Sequence, residues 1–362
     1  MSWRATRCVS VDPPETITMN AAITQDTKTV LLTGASGVVG SALLRELGDC
    51  DVLALMHRQP PPGPVAGTIR GDLTSPRLGL DRTHLRQLAS RVDAIVHCAA
   101  AVNFNAGPQV AESVNVTGTT NMLELARMAD APLYYVSTAF VARADKVDAE
   151  QGPGVYIASK RAAEQAVRDS GLPAVLIRPS VVGGDSETGE ISQFQGLHHL
   201  CGAAIRGMLP MLPVPDGACI DFIPQDLVAR CIADIVARDE REGERWLTAG
   251  ASAVAIERIV DLCVDAAYEL GAPIPRPKLV DPELMDRLIR PVFLGSLPRE
   301  LQRGFDQLLA MMPLFYSEER FPSSLDDLDR RMSSDELERA FAQSLRYWAE
   351  EKGLADAGRR AA

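Results

Sequence analysis

Residues 33–40 read TGASGVVG, placing Gly34, Gly37 and Gly40 at a GxxGxxG spacing. Just before them runs TVLL, β-branched and leucine residues such as a parallel strand buried on both faces requires. Just after comes SALLRELG, apolar at helical spacing and ended by a glycine. Strand, glycine turn and helix in this order make a phosphate-binding unit. The glycines let the backbone approach a pyrophosphate, which rests on the helix N-terminus. A glycine triplet alone is a weak sign, but in this setting it predicts a nucleotide site. The expected contacts are Gly34, Ser36, Gly37, Val38, Val39 and Gly40.

Outward from this turn the pattern repeats. Strand-like runs DVLALMH, AGTIRGDL, AIVHCAA, LYYVSTA and AVLIRPS are separated by helical segments such as HLRQLASRV, NVTGTTNMLELARMA and YIASKRAAEQAVRDSG. Such alternation predicts an α/β fold, a Rossmann-type doubly wound parallel sheet with its ligand crevice at the carboxyl ends of the strands. Beyond Gly183 the alternation loosens. RWLTAG and AIERIVDLCVDAAYELG are expected to return to the sheet as a strand and a helix. From Ala272 prolines and amphipathic helices dominate, ending in SSDELERAFAQSLRYWAEE, where Ser333 or Ser334 can cap the helix. The expected division is a disordered leader or misassigned start over 1–26, a nucleotide-binding domain over 27–255 and a smaller, mainly helical substrate region over 256–362. Met19 precedes the first strand closely enough to be an alternative start to Met1.

Composition narrows the function. The chain has 362 residues and a formal net charge of -11, which argues against nucleic acid or an anionic membrane surface as partner. The most apolar stretch, LCGAAIRGMLPMLPV, is broken by Arg206 and two prolines, so no transmembrane segment is expected. Seven cysteines (Cys8, Cys50, Cys98, Cys201, Cys219, Cys231, Cys263) are scattered without a CxxC pair, as in a cytosolic protein with reduced thiols. No metal-ligand spacing is present. His198 and His199 point in different directions on a helix or strand and so do not share an ion.

The second strand chooses the dinucleotide. An acidic residue at its end would favour NAD by bonding the ribose 2′-hydroxyl. Here Asp49 and Asp51 stand at its beginning, and the end reads LALMHRQ. Arg58, assisted by His57, can instead pair with a 2′-phosphate, so NADP(H) is the expected cofactor. Asp72 ends the third strand, where it either approaches the adenine or caps a turn. Tyr156 and Lys160 are an i, i+4 pair and share one helical face. Hydride transfer to a carbonyl leaves charge on oxygen. A tyrosine can protonate it if a neighbouring ammonium draws the phenol down from its usual pKa of about 10. Thr138 can add a hydroxyl to the same oxygen. Ser137 should point to the opposite side of its strand.

Together TGASGVVG, VSTA and YIASK resemble the extended short-chain dehydrogenase/reductase superfamily over roughly residues 29–255. The resemblance implies an enzyme in which Tyr156 is the acid/base, Lys160 binds the nicotinamide ribose and lowers the tyrosine pKa, and Thr138 positions the carbonyl oxygen. It further implies cofactor contacts at Leu73, Cys98, Ala99, Ala100 and Asn115, and a nicotinamide pocket lined by Pro179, Ser180 and Val181. GDLTSPRLGL, VHCAAAVNFN, NVTGT and RPSVVGGDSETGEISQFQGLH are similar to the branch holding fatty acyl-CoA reductases and terminal thioester reductases. That branch implies NADPH-dependent reduction of an acyl thioester to an aldehyde, or onward to an alcohol. The chain has no room for adenylation or carrier modules, so the thioester would come as a CoA ester or on a separate acyl or peptidyl carrier protein. A monomer or a homodimer is compatible with the pattern.

Two other readings stand beside this one. The first is an extended-family alcohol or ketone dehydrogenase, of hydroxysteroid or dihydroflavonol type, or a sugar-nucleotide epimerase. The second is a non-catalytic NADP-binding sensor, which the Tyr156/Lys160 pair opposes. Arg287, Arg290, Arg299 and Arg303 form the densest basic stretch of the second half, either a landing site for carrier protein or CoA phosphate or a solvated helical face. Leu308–Phe315, LLAMMPLF, reads as core before it reads as an acyl channel. Cys98 reads as a small buried thiol rather than a nucleophile.

Overall fold

Thr29–Thr33 is buried along its whole length, as its uninterrupted apolar character requires. The structure is a computed structural model describing residues 17–19, 27–104, 107–150, 152–194, 196–284, 287, 314, 316–317 and 319–354. The strands of its main sheet are β1 (Ile17–Met19), β2 (Thr29–Thr33), β3 (Asp51–Met56), β4 (Gly67–Arg70), β5 (Ala94–His97), β6 (Leu133–Val136) and β7 (Ala174–Pro179). Four short strands follow, β8 (Val181–Gly183), β9 (Met211–Pro213), β10 (Cys219–Ile220) and β11 (Phe222–Pro224), before β12 (Glu242–Leu247) rejoins the sheet. The order is β1-β4-β3-β2-β5-β6-β7-β12. All pairs are parallel except β1 with β4, where Ile17 opposes Ile69. The doubly wound sheet expected from the sequence is therefore present, and its order reverses between β2 and β5.

Residues 17–19 correct one expectation. They fall in the stretch expected to be a disordered leader or a misassigned start, yet they add an antiparallel edge strand to β4. That short pairing leaves little trace in a local hydrophobic pattern.

Helices cover both faces. Val30, Leu32 and Val96 pack with α1 (Val38–Glu46) and α7 (Gln225–Ala237) in one core. Leu31, Ile95, Leu133 and Tyr135 face the other way, against α2 (Arg82–Ala89), α4 (Gly118–Ala129) and α5 (Pro153–Asp169). Alternate residues of one strand thus serve two cores, which is why the strands are apolar throughout. Each fully buried leucine contributes roughly 1.5–3 kcal/mol. Between the short helix α3 (Pro108–Ala111) and α4 lies a π-helical stretch, Glu112–Thr117.

A third core lies above the carboxyl ends of the strands. There α6 (Gly196–Ile205) and α8 (Ile256–Glu269) pack with the C-terminal helix Ser334–Glu351 around Trp348. Ser333 caps that helix, in a capping box with Glu336. Two expectations change here. β12 does return to the sheet beside β7, but α8 leaves it for the helical layer. That layer also recruits α6, so its packing does not begin at residue 256. Of the basic stretch, Arg290, Arg299 and Arg303 lie outside the described residues, as does most of Leu308–Phe315. No described helix is long and apolar enough to cross a membrane.

Candidate active site

The chain leaves β2 at Thr33 and turns through Gly34 at φ 73° into α1. A Cβ on Gly34 would stand 2.6 Å from the Ala99 nitrogen, and one on Gly40 2.1 Å from the Gly34 carbonyl oxygen. Those contacts are with backbone, which cannot swing aside. Gly37 caps α1 without a side chain, and the first turn holds no acidic residue. The free N–H groups and the positive helix end are left for an anion.

From this turn a cleft of about 1300 Å³ runs over the strand ends to Tyr156 and Lys160. Its first part is walled by Gly34, Ser36, Gly37, Val38, Val39 and Gly40, then by His57, Arg58, Asp72 and Leu73. Its second part passes Cys98, Ala99 and Ala100 to Thr138, with Pro179, Ser180 and Val181 opposite. These dimensions and donors fit a dinucleotide, with an uncapped helix at one end and hydroxyl and amine groups at the other. No cluster of His, Cys, Asp or Glu suited to a metal occurs among the described residues.

Arg58 is exposed at the rim, with no ion pair among the described residues. Asp72 behaves otherwise. Its Oδ1 accepts from the Thr74 amide at 2.9 Å and the Thr74 hydroxyl at 2.8 Å, and Oδ2 accepts from Ser75 at 3.1 Å. Burial pushes this carboxyl up, but those bonds outweigh it and hold the pKa below the usual value. The turn-capping alternative describes its side chain, although the residue still borders the cleft.

Tyr156 and Lys160 share one face of α5, as their spacing requires. The Thr138 hydroxyl pulls the Tyr156 phenol pKa down and accepts from the Phe140 amide at 3.3 Å. Ser137 faces Glu164 on the same helix, and it too borders the cleft. The expected electrostatics need correcting. Burial pushes the Tyr156 phenol up to about 12, with the Thr138 hydroxyl pulling the other way. The Lys160 amine is engaged elsewhere. Its Nζ donates to the Val136 carbonyl at 2.7 Å and lies 4.4 Å from the Tyr135 ring centroid. Burial lowers the Lys160 pKa to about 7, partly opposed by Cys98 and Glu164. Burial likewise raises the Cys98 thiol to about 12, so it is no ready nucleophile.

Asn115 does not line the cleft but stands behind its wall. From the π-helical stretch its Oδ1 accepts the Ala101 amide at 2.7 Å, and its Nδ2 donates to Ser159 Oγ at 2.8 Å. Ser159 in turn donates to the Tyr156 carbonyl at 2.7 Å. Asn115 thus ties the Cys98–Ala101 wall to the helix bearing Tyr156. Sequence reasoning missed its neighbour His97, whose Nδ1 meets Thr33 Oγ1 at 2.6 Å. Thr119 Oγ1 lies 3.3 Å from Nε2 and donates to the Asn115 carbonyl at 2.6 Å. Burial drives the His97 pKa down to about 3, so the ring is a neutral strut. A lone polar residue ending the apolar run AIVH was its only sequence signal.

Phe104 was also missed, its ring centroid lying 5.5 Å from that of Tyr156. With Phe140, Phe194 and His199 it lines the mouth of the cleft. His198 turns away to bond Ser344 at 2.8 Å, confirming that the two histidines diverge. Behind the site Glu164 accepts from Arg178 at 2.6 Å, pinning α5 to β7.

Residues 66–232 match the family described as male sterility protein. A hybrid PKS-NRPS synthetase of Talaromyces variabilis is 30% identical over 232 residues, or 59% of this chain. Glycine betaine reductase of Emericella nidulans is 31% identical over 251 residues, or 57% of this chain. The chain spans 6% of the length of the first relative and 20% of the second. Among solved structures, the terminal R domain from the myxalamid PKS-NRPS pathway superposes with a TM-score of 0.68 at 24% identity. That superposition covers 92% of this chain and 94% of the other, and it speaks to a shared fold.

Proposed function

We propose that this chain, whose residues 66–232 match the male sterility protein family, is an extended short-chain dehydrogenase/reductase that reduces acyl thioesters with NADPH. The observation that carries the reading is the assembly of Thr138, Tyr156 and Lys160 at one end of a dinucleotide-sized cleft. The thioester, as a CoA ester or on a carrier protein, enters past Phe104, Phe140 and Phe194. The similarity to PKS-NRPS proteins supports that substrate class.

Bound along the cleft, NADPH would supply a hydride to the carbonyl carbon. The Thr138 and Tyr156 hydroxyls bond the carbonyl oxygen, and the phenol, protonated throughout the neutral range, gives up its proton as negative charge develops there. The resulting hemithioacetal collapses to aldehyde and free thiol without a covalent enzyme intermediate. Lys160 would hold the nicotinamide ribose and, in its protonated form, place positive charge beneath the site. The apolar walls at Phe104 and Phe140 exclude water. The deciding assay incubates the protein with NADPH and an acyl-CoA and measures aldehyde and free thiol. Turnover of a ketone with no thioester ever reduced would transfer the protein to the dehydrogenase reading.

Two further outcomes are expected. Arg58→Ala should weaken NADPH, but not NADH, by roughly tenfold, the scale of a lost charge-assisted bond to the 2′-phosphate. Equal effects on both cofactors in a binding titration would refute its role. Because the Lys160 ammonium is the low-pH form, activity that depends on it is full below about 7 in the free protein and falls as pH rises through that value. A kcat/KM profile flat from acid to alkaline pH would contradict this.

A further inference from the structure

Arg143 sits on the 3-10 segment Ala139–Lys146, which Thr138 caps. Its side chain is buried, and its partners come from far along the chain. Nη1 donates to the Leu314 carbonyl at 3.0 Å and Nη2 to the Glu319 carbonyl at 3.2 Å. The guanidinium lies 3.8 Å from the Phe321 ring centroid. Burial lowers its pKa to about 10, opposed by Asp221 and Glu319, so it remains charged at neutral pH. Phe321 meets Phe140 edge-on at 6.1 Å, and Phe140 lines the cleft beside Thr138.

Residues 320–324, next to Glu319, have anchors of their own. Ser323 Oγ donates to the Thr248 carbonyl at 2.8 Å, and the Trp246 amide donates to Ser324 Oγ at 3.0 Å. Arg320 donates to the carbonyls of Gly250, Ala251 and Ala253. Residues 320–324 are thereby anchored to the end of β12 and the turn after it. A buried cation is costly where packing alone is needed. What a planar guanidinium adds is orientation, since it bonds two carbonyls and stacks on a ring in one geometry.

We propose that Arg143 is a positioning residue for the reaction. By locking the 139–146 segment to the carbonyls of Leu314 and Glu319, it sets the direction of the Thr138 hydroxyl and the Phe140 wall. The proposal rests on the reductase reading only through the role of Thr138.

The test is a double-mutant cycle in the full chain, following kcat together with NADPH affinity by fluorescence titration. Arg143→Ala should lower kcat roughly 10- to 100-fold, the scale of a misplaced catalytic group. NADPH affinity should stay within about twofold, since its binding surface is untouched. Arg143→Lys, with one compact donor, should recover only part of the loss. In a Thr138→Val background Arg143→Ala should cost almost nothing further, because the group it positions is gone. Losses that simply multiply would overturn the proposal, as would an Arg143→Ala protein that melts earlier yet keeps its kcat. If Arg143→Ala does not fold, the same cycle run with Arg143→Lys decides. A wild-type protein that reduces ketones but no thioester would refute the substrate assignment, and the cycle would still be read on the ketone.

Discussion

Tyr156→Phe should lower kcat for thioester reduction by roughly 10²- to 10⁴-fold, the usual contribution of a positioned general acid. NADPH binding should be unchanged. The substitution removes only the phenolic hydroxyl, and the ring keeps its contact with Phe104. The effect is large because burial holds the phenol protonated, its pKa raised to about 12 against the pull of Thr138. The group is therefore an acid awaiting an oxyanion, and phenylalanine offers that oxygen no proton. Thr138 alone would retain part of the stabilisation, so residual activity should fall again in Thr138→Val/Tyr156→Phe. A Tyr156→Phe protein with near-normal turnover would remove Tyr156 from the chemistry.

Gly40→Ala should abolish measurable NADPH binding and lower the melting temperature. The added Cβ would stand 2.1 Å from the Gly34 carbonyl oxygen, with Ala35 Cα at 2.9 Å. Either α1 must move away or the turn must open. Overpacking of this kind costs typically 1–3 kcal/mol. Opening the turn also misaligns the amides that would meet the pyrophosphate, and at roughly 1.5–3 kcal/mol per charge-assisted bond two such losses weaken binding by at least about 100-fold. Isothermal titration with NADPH alongside thermal unfolding separates the two effects. Wild-type affinity in a folded Gly40→Ala protein would show that the turn does not hold the dinucleotide.

Much of the site was legible because its parts are local. The turn needs Gly34 and Gly40 within a few residues, and Tyr156 and Lys160 share a face through helical periodicity alone. The strands announced themselves by unbroken apolar runs, and Ser333 or Ser334 announced the start of the C-terminal helix, where the structure places Ser333 in a box with Glu336. What was not legible depends on residues far apart in the chain. Asn115 carries the type and position of a cofactor contact, yet its amide is consumed by Ala101 and Ser159. Asp72 is consumed by its own turn. Arg143 looks like an ordinary helix base until Leu314 and Glu319 arrive beside it.

The amino-acid sequence by itself determined the strand-and-helix alternation, the glycine turn, and the shared helical face of Tyr156 and Lys160, because all follow from near-neighbour geometry. Only the tertiary structure decided their protonation and their neighbours. It buried the phenol and turned the Lys160 amine to the Val136 carbonyl. It also drew α6, α8 and the C-terminal helix into one layer over the cleft. Desolvation and long-range packing are properties of the assembled chain, and no stretch of sequence contains them.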